Sequence, residues 1–108
     1  MENTREALFY DPKNGYDRID AAEKEKIFDY CEGYKAFLDS ARTERLAVRT
    51  GIEMAERAGF VEFRRGMTMA PGTKVYSSVR GKALLLAVIG QESLEQGCVI
   101  AAAHVDSP

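Results

Sequence analysis

The sequence predicts an α/β fold in which two N-terminal helices pack on part of a mixed β-sheet. Three observations carry that prediction. Apolar residues recur at helical spacing between residues 20 and 58. After Gly59 the period gives way to short apolar runs bounded by glycine and polar turns. Two of those runs, "ALLLAVIG" and "CVIAAAHV", are almost continuously apolar, the pattern of strands covered on both faces of a sheet.

Residues 1–18 are polar, and "DPKNG" at 11–15 joins a proline-fixed φ to Asn-Gly, which makes a turn. Asp20 with Glu23 three positions on resembles a capping box, opening a helix that runs to about Leu38. Ile27, Cys31, Tyr34 and Leu38 form its apolar face, widened by Tyr30 and Phe37. Gly33 costs this helix about 1 kcal/mol relative to alanine, which packing must offset.

"DSART" interrupts the pattern, and Ser40 or Thr43 can cap a second helix with Glu44 near its positive end. Val48, Ile52, Ala55 and Ala58 form its stripe, and Gly59 is placed to end it. Arg42, Arg45 and Arg49 mostly fall off that stripe and read as a solvated face. Residues 60–63 are short and partly alternating, "RRGMTMAPGTK" is a loop, and "VYSSV" is a strand. Arg80-Gly81-Lys82 reads as a tight reversal into "ALLLAVIG". "KALLLAVIG" also suits a helix, because Ala and Leu are good helix formers, but its short length and flanking glycines favour a strand. "QESLEQG" is a loop that leads into "CVIAAAHV".

With 108 residues the chain is one small domain at most. Its net charge of −2 argues against nucleic acid and anionic membrane as main partners, since both call for concentrated Lys and Arg. The start, "MENTREALFY", has no apolar segment of signal-peptide length, and no stretch is long enough to span a bilayer. Cys31 and Cys98 lack CxxC spacing and read as small apolar residues of a reducing compartment, so a cytoplasmic location is expected.

"GMTMAPGTK" has some look of a phosphate-binding loop, but Lys74 follows Thr73 instead of preceding it and the loop enters a strand. "AAAHVDSP" carries more chemistry. A strand ending in His-x-Asp places His104 and Asp106 on one side of the chain, at the carboxyl end where open α/β sheets build their sites. A neutral imidazole suits zinc, and a neighbouring carboxylate can fix the ring and raise its basicity. A hydrogen-bonded structural histidine at a strand end is the competing reading of the same residues.

Three segments taken in order, "FLDSARTERLAVRTGIEMAERAGF", "KVYSSVRGKALLLAVIG" and "CVIAAAHVDSP", resemble the amino-terminal part of the M18 family of zinc aminopeptidases. The resemblance covers roughly residues 35–108. Its most specific pieces are Thr43-Glu44 at the helix start, Arg80-Gly81-Lys82, and the run from His104 to Pro108. One departure is Val79, where the family often has Asn.

The resemblance implies that residues 1–108 are the N-terminal segment of a metallopeptidase catalytic domain. It implies His104 as a ligand of a two-zinc centre and Asp106 as the carboxylate that supports this ligand. The parent would hydrolyse N-terminal residues from peptides and form homo-oligomers, with peptide as its substrate partner. The remaining metal ligands and the general-base glutamate would lie downstream of Pro108, so the 108-residue piece is expected to be inactive and to bind zinc weakly. A rival reading is a self-contained, non-catalytic interaction module with a structural His-Asp pair. Either way, two helices can cover one sheet face, which leaves Leu85, Val88, Val99 and Ala101 available for self-association.

Overall fold

Capping chemistry starts both helices in the computed structural model, which describes residues 8–106. Asp20 accepts a hydrogen bond from the Glu23 N–H at 2.8 Å and opens helix α1, Ala21–Ser40. The Glu23 carboxylate then meets Lys26 at 2.7 Å. Upstream, the predicted turn is present: Asn14 accepts from the Tyr16 N–H and opens a single 3-10 turn at Gly15–Arg18. Of the two candidate caps for the second helix, Thr43 takes the role. Its hydroxyl accepts from the Leu46 N–H at 3.2 Å and begins α2, Glu44–Arg57. Gly59 follows the α2 cap at φ +87°, the left-handed conformation that ends helices at little cost in glycine.

The chain divides into two compact units, Met1–Tyr34 and Lys35–Pro108. In the first, Lys24 lies 4.7 Å from the centre of the Tyr16 ring. No residue of α1 is buried, and Tyr34 and Leu38 from its predicted apolar face are exposed.

The second unit holds a mixed three-stranded sheet in the order β1-β2-β3, with β1 at Val61–Glu62, β2 at Lys74–Val79 and β3 at Ala83–Val88. β1 runs parallel to β2 with Val61 opposite Val75, and β3 is antiparallel to β2 with Leu86 opposite Tyr76. The strand reading of "ALLLAVIG" therefore holds, and the helical one does not. Arg80 and Gly81 turn the hairpin at φ +56° and +66°, closed by Lys82 N–H to Val79 O at 3.0 Å. Positive φ at both central positions matches the twist of the flanking strands.

α2 packs on β2 and β3, and the buried core residues are Ala47, Val48, Ala55, Val75 and Tyr76. Burying a side chain the size of Val48 or Val75 contributes about 1.5–3 kcal/mol. Gly51 sits where α2 meets β3. A Cβ there would lie 2.7 Å from Leu84 Cδ2, so any larger residue requires the Leu84 side chain to shift. The buried stripe is turned relative to the predicted one: Ala47 is inside and Ala58, at the helix cap, is exposed.

Polar ties fix the two ends of α2 to the hairpin. Near the start, Arg45 donates to Arg80 O at 3.3 Å and Lys82 lies 3.6 Å from Glu44. Near the end, Lys74 Nζ donates to Ala58 O at 3.0 Å while passing 5.7 Å from the Phe60 ring centre. There too the Tyr76 hydroxyl donates to Glu56 Oε1 at 2.7 Å. A lysine at a helix C-terminus satisfies an orphan carbonyl and complements the helix dipole.

One strand prediction fails. "CVIAAAHV" joins no ladder, and a 3-10 turn at Leu94–Gln96 leads into an exposed, irregular segment. Its apolar composition is that of a two-sided buried strand, but a strand exists only by pairing with a neighbour, and residues 98–105 have none among the described residues. Cys31 and Cys98, read as small apolar residues, are exposed free thiols.

Candidate metal-ligand site at His104

His104 lies near the end of the unpaired apolar segment, two residues before Asp106. The two side chains meet within an irregular stretch and not on the face of a strand. His104 Nδ1 is 3.1 Å from Asp106 Oδ1 and 2.9 Å from the Asp106 carbonyl oxygen. Both partners are acceptors when the carboxylate is ionised, so the neutral ring carries its proton on Nδ1. That leaves the Nε2 lone pair available. It is the arrangement in which a carboxylate orients a metal-binding imidazole and raises its basicity.

The pair stands in the open: the His104 and Asp106 side chains are 75% and 72% exposed. An exposed pair of this kind is screened by water and holds its geometry weakly. Ser107 and Pro108, the rest of the motif, lie outside the described residues. Among the described residues no group of three or more His, Cys, Asp or Glu side chains converges as a metal centre would need. His104 thus has the donor chemistry of a zinc ligand and a carboxylate to orient it, while a catalytic zinc takes three protein ligands.

A shallow depression along α2 is lined by Glu53, Glu56 and Arg57 and contains neither His104 nor Asp106. Beside it, the Tyr76 hydroxyl is held above the ordinary tyrosine pKa, first by its hydrogen bond to Glu56, then by burial, then by the negative charges of Glu56 and Glu62. Sequence reading passed over this pair. "VYSSV" announces a strand, but nothing in it names Glu56, twenty residues upstream, as the partner of Tyr76.

The chain matches known proteins over most of its length. It is 35% identical over 105 residues to a probable M18 family aminopeptidase 1 of Clostridium acetobutylicum, covering 94% of this chain and 23% of that protein. A probable M18 family aminopeptidase 1 of Borrelia garinii subsp. bavariensis is 30% identical, over 89% of this chain and 21% of that protein. The crystal structure of aminopeptidase I from Borrelia burgdorferi B31 superposes with a TM-score of 0.81 at 29% identity, covering 89% of this chain and 24% of that one. The chain therefore spans less than a quarter of the length of these relatives. No protein-family model matches it.

Proposed function

From the homology of this chain to the M18 aminopeptidases, we propose that it is the N-terminal segment, residues 1–108, of the catalytic domain of a zinc-dependent aminopeptidase. The peptide substrate, the homo-oligomeric state and a cytoplasmic location belong to this proposal. No helix among the described residues is long and apolar enough to cross a membrane.

The carrying observation is the His104–Asp106 contact at 3.1 Å, within the run "HVDSP". In this reading Asp106 holds the Nδ1 proton and His104 offers Nε2 to a metal. His104 would be one of the residues holding a metal centre, which when bound would supply Lewis-acid activation of water and of the scissile carbonyl. The protein's own contribution here is to orient one ligand. The other ligands and the general base come from outside these residues, so the 108-residue chain alone has no turnover.

The test is peptidase activity of the longer polypeptide carrying this chain, on leucyl and aspartyl chromogenic substrates. Activity removed by a chelator and restored by zinc supports the reading. A longer polypeptide that is folded, zinc-loaded and inert on all N-terminal substrates overturns it.

A second reading is favoured by one observation. Leu85 and Val88 on β3 are about 60% exposed, as a non-catalytic interaction module would have them. A stop codon directly after Pro108 in the source gene would select this reading.

A further inference from the structure

We draw no further inference here: the strongest candidate, the open outer edge of β3 with Leu85 and Val88 exposed beside it, carries nothing because nothing in the structure shows what covers it.

Discussion

The Tyr76 hydroxyl donates to Glu56 Oε1 at 2.7 Å, fastening the middle strand of the sheet to the last turns of α2. The bond needs the protonated phenol, and the negative charges of Glu56 and Glu62 oppose its ionisation, which is why the Tyr76 pKa is raised. A group whose pKa is higher in the folded state stabilises fully below its unfolded value and loses that contribution as pH rises through the folded value. Tyr76→Phe should therefore lower the urea midpoint at pH 8, and its difference from wild type should shrink above about pH 10, the ordinary tyrosine value. Urea melts from pH 8 to 11 check this. A difference that is constant over that range means the phenol proton is not involved.

Gly51 and Leu84 are predicted to be coupled. Alanine at 51 gains about 1 kcal/mol of helix propensity but places its Cβ 2.7 Å from Leu84 Cδ2 unless that side chain moves. Gly51→Ala alone should be neutral or destabilising by up to about 1 kcal/mol. In a Leu84→Ala background the same change should stabilise by about 1 kcal/mol. A double-mutant cycle in urea reads the change of sign, and simple additivity contradicts the close approach.

Lys74 tests the cap at the other end of that helix. Lys74→Met keeps an apolar stem near Phe60 but removes the ammonium that donates to Ala58 O at 3.0 Å. The expected loss is about 0.5–1 kcal/mol. Amide exchange of the last turn of α2 should rise with it.

Much of this was legible because it is local. Asp20 and Thr43 announce caps through their spacing to the next helical residues, and both accept the predicted kind of backbone hydrogen bond. Arg80-Gly81-Lys82 announces a reversal, and both central residues take the positive φ it needs. His104 and Asp106 meet through a local bend and not through the strand alternation the sequence predicts, since residues 98–105 form no strand. What was not legible is non-local. Lys74–Ala58 and Tyr76–Glu56 join residues sixteen and twenty positions apart, and no period in the sequence pairs them. "CVIAAAHV" was misread for the same reason: composition gives the appetite for a strand, and only a neighbour gives the strand.

Zinc affinity of the 108-residue chain separates a lone ligand from a built site. One imidazole and one orienting carboxylate fall short of the three protein ligands of a catalytic zinc, so calorimetry at neutral pH should find no submicromolar binding. Submicromolar affinity, or metal-dependent turnover by the pure chain, would contradict the account.

In the longer polypeptide, Asp106→Asn should leave the fold intact and weaken zinc retention or activity about 10–100-fold, because the ring of His104 exchanges a charged carboxylate acceptor for a neutral amide oxygen. Zinc content after dialysis against a graded chelator series measures the loss.

The role of His104 is the central claim, and metal analysis of the His104→Ala variant of that longer polypeptide tests it most directly. Zinc is counted per chain beside circular dichroism and turnover on a leucyl substrate. The predicted result is a folded protein that has lost zinc and with it all measurable turnover. Full zinc occupancy with normal turnover would contradict the assignment of His104 as a metal ligand.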